Sequence, residues 1–362
     1  MNASTPIAPR FHSLSVKDIR RETADAVTLT FDIPPALEDA FRFEPGQYLT
    51  LRTTIGGEEI RRSYSICSGP ADGEIRIAVK RVDDGVFSSH INGVLALGDS
   101  IDVMSPTGRF GLATATGGKT YVGFAAGSGI TPILSILKGL LVREPDSRFF
   151  LFYGSRTVSD VLFRKELEEL KDRNLGRLSV FHVLSREEQD LAILNGHIDG
   201  AKVRLLLSTM IPAAMVDHAF ICGPAPMIDD LEATLGDLGL SADKIHVERF
   251  VSAHGGLARA KPPVAPDAPP AHLVTITVDG KRREVPAAKD ESILDAALRA
   301  GIDLPFACKG GMCSTCRARI VEGSAQMDVN YSLEKWEIDK GFVLTCQAKP
   351  TSKRIIVDFD AV

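Results

Sequence analysis

The chain has 362 residues, 44% of them hydrophobic and 25% charged, and 42 basic residues against 47 acidic ones give a net charge of −5. That length exceeds one ordinary core and points to two or three domains of a folded soluble protein. No apolar run approaches the roughly 18 residues of a membrane helix, and no basic face is available to displace counterions, so neither a membrane nor a nucleic acid is an expected partner.

Residues 1–112 begin with Met1–Leu14, which lacks the apolar centre of a secretory signal, so a cytoplasmic setting is expected. Short alternating segments follow. Val27, Leu29 and Phe31 alternate before Pro34, Tyr48, Thr50 and Arg52 follow Pro45-Gly46, and Ile75, Ile77 and Val79 share a face. Many short strands with Gly/Pro punctuation predict a small antiparallel β-barrel or sandwich. Residues 113–251 change pattern. The apolar run Tyr121–Ala126 leads into Gly127-Ser128-Gly129, and Ile133, Ile136, Leu137 and Leu140 then recur at helical spacing. Arg148–Tyr153, Leu178–Val183 and Ala219–Ile221 read as buried strands and Val161–Leu170 as a second helix. Strands alternating with helices predict an α/β domain with a parallel sheet.

Residues 252–271 are a Pro-rich linker, with five prolines between Pro262 and Pro270. Fixed φ favours extended geometry, so these twenty residues could reach on the order of 60 Å. Residues 272–362 form a third domain. Val274, Ile276 and Val278 precede the hairpin signal Asp279-Gly280, and Asp290–Ala300 reads as a helix with Asp290 as N-cap and Gly301 just past its end.

Four of the six cysteines lie in that third domain. Cys308 and Cys313 bracket four residues, Cys313 and Cys316 bracket two, and Cys346 follows after 29 more. Clustered thiols in a chain without an export signal read as metal ligands before disulfides. This spacing is the plant-type arrangement for a 2Fe–2S cluster, and Gly310 and Gly311 allow the loop to curl round it. A structural Cys₄ zinc site is the competing reading, but such sites are usually built from two Cys-x₂-Cys pairs and only one is present. Cys67 belongs to no motif and reads as a small buried hydrophobe.

On ACKGGMCSTC and FVLTC, the tail resembles the plant-type ferredoxins, implying an α+β domain that holds a 2Fe–2S cluster. On Arg62-Ser63-Tyr64-Ser65, Gly127-Ser128-Gly129-Ile130-Thr131-Pro132 and Cys222-Gly223-Pro224-Ala225-Pro226-Met227, the front domains resemble the ferredoxin–NADP reductase superfamily. That resemblance implies FAD and a nicotinamide dinucleotide. Arg62 would pair with the FAD pyrophosphate, Tyr64 would stack on the isoalloxazine, and Ser65 would bond near flavin N5. Gly85 and Ser88, at the start of a helix, would give a second pyrophosphate contact, with Lys80 either assisting or solvated. Gly127, Gly129 and Thr131 would receive the nicotinamide dinucleotide's pyrophosphate. Cys222 and Gly223 would lie near the nicotinamide, although Cys222 also fits as a buried hydrophobe. Phe250, in Glu248-Arg249-Phe250, would lie beside the flavin with Glu248. Tyr64, Ser65 and Cys222 would therefore sit at the catalytic centre, positioning rather than reacting.

Ser155 and Arg156 end the second parallel strand, where an adenosine ribose belongs, and could hold the 2′-phosphate of NADPH. Asp160 could repel that phosphate and favour NADH, or simply cap the following helix.

FHSLSV, RRSYSIC, AAGSGITP, FICGPAPM, ERF, DESILDAALR, ACKGGMCSTC, NYSLE and VDFD occur in one order. On them the chain resembles the family of phenylacetyl-CoA epoxidase reductase subunits. The resemblance implies an oxidoreductase passing electrons from NADPH through FAD and a 2Fe–2S cluster to a separate multisubunit di-iron oxygenase in phenylacetate degradation. A nicotinamide yields two electrons at once and a cluster takes one, so a flavin is the adaptor between them. The oxygen chemistry is not expected in this chain, because none of its eight histidines has a glutamate three residues before it. A reductase of a Rieske dioxygenase or a steroid or alkane hydroxylase shares the same modules. A stand-alone diaphorase or redox sensor and a zinc-binding interaction module are the readings from other classes.

Overall fold

The computed structural model describes residues 10–112, 117–250 and 270–361. The Pro-rich stretch up to residue 269 lies outside the described residues. The first module carries β1 (Phe11–Thr23), β2 (Ala26–Asp32), β3 (Tyr48–Ile55), β4 (Glu58–Ser65), β5 (Arg76–Lys80), α1 (Val86–Gly93) and β6 (Ser100–Met104). The strands lie antiparallel in the order β4-β3-β6-β1-β2-β5. Ile66, just past β4, bridges Ile77 of β5 and closes the sheet into a barrel. Val27, Leu29 and Phe31 point into one core with Leu49, Leu51, Ile77 and Val79, as alternation requires of residues on one face, and Thr28 and Thr30 on the other face of the strand are buried as well. Cys67 is buried here, its thiol donating to the Arg76 carbonyl at 3.2 Å.

The second module alternates β7 (Thr120–Ala126), α2 (Ile130–Arg143), β8 (Arg148–Ser155), α3 (Arg164–Arg173), β9 (Leu178–Leu184), α4 (Gly200–Thr209), β10 (His218–Gly223), α5 (Ala225–Asp237) and β11 (Ile245–Arg249). Its parallel sheet runs β11-β10-β7-β8-β9. The strand order reverses between β7 and β10, and the crevice beyond their C-terminal ends is where open α/β sheets take ligands.

The helix expected from Val161 begins instead at Arg164. Thr157 and Asp160 cap each other reciprocally around a 3₁₀ turn at Val158–Asp160, and Phe163 then takes a left-handed φ of 58°. Val161, Leu162 and Phe163 go into the core rather than onto a helix.

The third module contains β12 (Pro270–Val278), β13 (Lys281–Ala288), α6 (Ile293–Arg299), β14 (Arg317–Glu322), β15 (Ala325–Met327), α7 (Lys335–Asp339), β16 (Phe342–Leu344), β17 (Ala348–Pro350) and β18 (Arg354–Asp358). Its main sheet has the order β13-β12-β18-β14-β16. The N-cap of α6 is Ser292, not Asp290. Asp290 sits in a left-handed turn at φ 64°, and the Ser292 hydroxyl accepts from the Asp295 N–H at 3.0 Å. Among the described residues, no helix is long and apolar enough to cross a membrane.

Buried charge joins the first two modules. Lys138 on α2 is 8% exposed and pairs with Asp72 of the barrel at 2.6 Å and with Glu166 of α3. Glu166 also receives Arg76 of β5 at 2.7 Å. Removing one partner leaves buried cations undercompensated. Glu166→Ala should therefore destabilise the protein by about 2 kcal/mol, below the full cost of breaking a buried pair because Lys138 keeps Asp72. A shift in the denaturant midpoint checks this, and an unchanged midpoint would show the network to be energetically idle.

Candidate functional site

The barrel and the parallel sheet meet where β4 ends. Ser65, its last residue, donates a 2.8 Å hydrogen bond to Glu248 Oε2 on β11. Glu248 is the register partner of Cys222 on β10. Three residues from two sheets thus share one crevice, and all three belong to motifs singled out in the sequence. Burial pushes the Glu248 carboxyl up to about 8, against the opposing effect of the Ser65 bond. Burial, reinforced by Glu248, pushes the Cys222 thiol well up. A thiol held protonated is a poor nucleophile, so Cys222 can pack and orient there without reacting.

On the same strand, the Tyr64 ring faces Phe87 of α1 at 6.0 Å between centroids, with burial holding its phenol neutral. Arg62 is exposed, one nitrogen donating to the Arg61 carbonyl at 2.8 Å and the rest of the fork free of partners among the described residues. Ser88 is not free: its hydroxyl accepts from the Val82 N–H and donates to the Gly85 carbonyl, both at 3.1 Å. A Cβ on Gly85 would come within 2.7 Å of that hydroxyl. The anion-facing groups here are therefore the backbone N–H groups of α1, whose start carries no side-chain cap. Lys80 pairs with Asp25 at 3.5 Å instead of standing in solvent. An available guanidinium, an aromatic face and an uncapped helix start fit the phosphate and ring of a flavin dinucleotide.

Gly127 opens the crevice with φ 55°. Gly129 must be glycine, since a Cβ would lie 2.1 Å from the Cys222 carbonyl oxygen. Thr131 is buried and its hydroxyl donates to the Ser128 carbonyl at 2.9 Å, fixing the turn. Across the crevice, a Cβ on Gly223 would meet the Met227 methyl at 2.6 Å. Neither α2 nor α5 has a side-chain N-cap bond; the Ile130 N–H is taken by the Gly127 and Ser128 carbonyls and Pro132 and Pro226 have none, so the remaining first-turn N–H groups are the donors on offer. Among the described residues, Ser155 Oγ is buried with no hydrogen-bond partner, as is His182 Nδ1 on the neighbouring strand, which the sequence did not single out. Such orphaned polar atoms fit a site that a polar ligand completes.

Arg156 is engaged from two sides: the same nitrogen reaches Asp160 at 2.6 Å and Asp25 at 3.1 Å. Asp160 also accepts from the Thr157 N–H at 3.1 Å, so it does act as a cap, of the 3₁₀ turn rather than of an α-helix. Phe250 is half-buried against the core beneath β7 and α2.

The four clustered cysteines come together in the third module as two pairs. Cys308 neighbours Cys313, and Cys316 neighbours Cys346. Lys309, Gly311 and Ser314 all take positive φ, curling the loop. Backbone and side-chain donors point at sulfur: Gly310 N–H to Cys308 at 3.3 Å, Cys308 N–H to Cys313 at 3.4 Å and Gln347 Nε2 to Cys346 at 3.5 Å. Two thiol pairs ringed by N–H donors fit two bridged irons, because soft thiolates bind iron and the donors offset the cluster's negative charge.

Sequence similarity agrees with this geometry. Residues 13–111 match the oxidoreductase FAD-binding domain, 124–233 the oxidoreductase NAD-binding domain and 276–351 the 2Fe-2S iron-sulfur cluster binding domain. The chain is 46% identical to a component of the 1,2-phenylacetyl-CoA epoxidase of Escherichia coli (strain K12), with 97% of this chain and 98% of the relative covered. The chain belongs to the family of phenylacetyl-CoA epoxidase reductase subunits. It is an FAD- and 2Fe–2S-dependent NAD(P)H oxidoreductase. The ferredoxin reductase component of 3-ketosteroid-9-alpha-monooxygenase from Rhodococcus rhodochrous is 31% identical, with 98% of each chain covered. The crystal structure of phthalate dioxygenase reductase shares the fold at a TM-score of 0.57 and 23% identity, covering 96% of this chain and 98% of that one.

The position of Glu248 in this reductase has a consequence for stability. Its carboxyl rises from 4.5 to about 8 on folding, so it favours the folded state fully below pH 4.5, and that contribution is lost as pH rises through 8. Glu248→Gln should therefore flatten the decline in stability across that window. Thermal midpoints of both proteins at several pH values check this, and parallel profiles would remove the assignment.

Proposed function

We propose that this reductase passes electrons from NADPH through FAD and its 2Fe–2S cluster to a separate multisubunit di-iron oxygenase, which epoxidises phenylacetyl-CoA in aerobic phenylacetate breakdown. The observation that carries the oxygenase assignment is the 46% identity to the epoxidase component along nearly the whole of both chains. The geometry supports the order of transfer, because the loop bearing Cys313 is seated on Tyr48, the β-ladder partner of Ser65.

Bound FAD accepts a hydride's two electrons and releases them singly to the cluster. The chain's part is to hold and orient. Arg62 and the start of α1 bind the flavin's phosphates, and Tyr64 packs on its ring. Ser65 and Glu248 face the ring's reacting edge. Gly127, Gly129 and Gly223 let the dinucleotide approach the backbone, while the neutral Cys222 thiol packs near the nicotinamide. Cys308 and Cys313 hold one iron and Cys316 and Cys346 the other. Residues 1–112, 113–251 and 272–362 act as the flavin, nucleotide and cluster domains, joined before the last by the 252–271 tether. The setting is cytoplasmic.

Two assays test this reading. The first supplies the oxygenase components of phenylacetyl-CoA epoxidase, phenylacetyl-CoA, oxygen and NADPH or NADH, with cytochrome c reduction as control. Epoxide formation supports the partner, whereas cytochrome c reduction alone would transfer the assignment to another oxygenase, such as a ketosteroid hydroxylase. Cys313→Ser should abolish epoxide formation and leave NADPH-to-ferricyanide activity largely intact. Joint loss of both, in a folded variant, would refute the modular path. The second assay addresses coenzyme choice. Asp160→Thr frees Arg156 from one of its two carboxylates, and should raise the NADPH/NADH ratio of kcat/KM about tenfold, a change of ~1.4 kcal/mol. An unchanged ratio would leave Asp160 as a cap alone.

A further inference from the structure

We propose that Tyr48 is a positioning residue through which the flavin barrel tunes the reduction potential of the 2Fe–2S cluster, by means of a phenol that donates to Cys313 beside the Thr315 hydroxyl. This deepens the flavin-to-cluster reading above and rests on it.

Tyr48 opens β3 and is buried, yet its phenol leaves the barrel and reaches the cluster loop. It contacts the Cys313 carbonyl and lies 2.9 Å from Thr315 Oγ1. Thr315 Oγ1 lies 3.3 Å from the Cys313 sulfur. A carbonyl only accepts, so the Tyr48 phenol must be the donor to it. With that hydrogen spent on the carbonyl, the Thr315 hydroxyl is the donor of the pair, and it stands within reach of the Tyr48 oxygen, the Cys313 carbonyl and the Cys313 sulfur, the last two at 3.3 Å. Cys313 thus receives the phenol at its carbonyl and has the Thr315 hydroxyl beside both that carbonyl and its sulfur, and the phenol comes from another module.

Hydrogen bonds near the sulfurs are one of the terms that set an iron–sulfur potential. The reason is electrostatic. Accepting one electron from the reduced flavin adds one negative charge to the cluster, and the positive ends of O–H dipoles stabilise that added charge. No bond to hydrogen breaks, and Tyr48 and Thr315 keep their protons. Tyr48 therefore makes the seated cluster easier to reduce than it would be without the phenol. Ser65, at the flavin's reacting edge, pairs with Tyr48 across the β3–β4 ladder. The same strand pair thus holds donor and acceptor.

The test uses the full-length holoprotein. Midpoint potentials of the cluster are read by anaerobic titration with EPR detection in wild type, Tyr48→Phe, Thr315→Val and Thr315→Ser, at matched flavin and iron content. Tyr48→Phe keeps the buried ring and should shift the midpoint downward. Thr315→Val should do the same, and Thr315→Ser should restore the wild-type value. In stopped flow, Tyr48→Phe should slow cluster reduction while leaving flavin reduction by NADPH unchanged. A wild-type midpoint in Tyr48→Phe would overturn the coupling, whatever Thr315 does. Should Tyr48→Phe fail to load cluster, a wild-type midpoint in Thr315→Val overturns it equally. None of these midpoints depends on which oxygenase is served, so failure here is distinct from failure of the proposed function.

Discussion

The guanidinium of Arg61 is buried at the seam between the barrel and the cluster module, and a buried cation must be paired. It is paired with Glu59 at 2.9 Å, with Asp303 at 3.0 Å and with the Leu304 carbonyl at 3.3 Å, and it lies 4.0 Å from the centroid of Phe306. Phe306 stands two residues before Cys308, so the contacts of this one side chain reach the approach to the cysteine loop. Its neighbour Arg62 is exposed toward the proposed flavin phosphates. Successive side chains on a strand point to opposite faces. Two adjacent arginines on β4 thus face opposite ways, one into the cluster module and one to the exposed side, and the spacing between them is a property of the pleat.

The seam is built so that each buried charge also has a partner at home. Arg61 has Glu59 on its own hairpin. Glu337, 1% exposed, has Arg317 within the cluster module at 2.7 Å and gains Arg109 from beyond β6. Parting such an interface leaves no buried charge alone, and so avoids the penalty of several kcal/mol that makes broken buried pairs costly. An apolar seam of equal area would hold more tightly and release less readily. The balance suits a module that meets a flavin on one side and a partner protein elsewhere.

Sequence made the chemistry legible where it is local. The cysteine spacing, the glycines at 127 and 129 and Arg62-Ser63-Tyr64-Ser65 each sit in a short window, and a short window can carry a steric rule. The contacts that join modules were not legible in this way. Ser65 meets Glu248 across 183 positions and Tyr48 meets Thr315 across 267, with no periodicity linking them. The misplaced caps have a related cause. Asp290 and Asp160 are both good capping residues by type, but a left-handed turn took the first, and reciprocal capping with Thr157 closed a tighter turn on the second. Local propensity marked residues able to cap, and tertiary packing chose which residue capped which turn.

The electrostatics at the two ends of the electron path are opposite in kind. At the crevice, burial keeps the Cys222 thiol protonated and raises the Glu248 carboxyl to about 8, so near neutral pH these two groups of the crevice are largely uncharged. A hydride carries its charge with it, and a fixed anion nearby would oppose its arrival at the flavin. At the cluster, four cysteines concentrate negative charge, and the fold answers with donors: Gly310 and Cys308 backbone N–H groups, the Gln347 amide and the Thr315 hydroxyl. The Tyr48 phenol comes to that set from the flavin barrel. A donor supplied by the barrel acts only while the loop is seated on it, so it assists reduction of the cluster at the place where the flavin's electron is available.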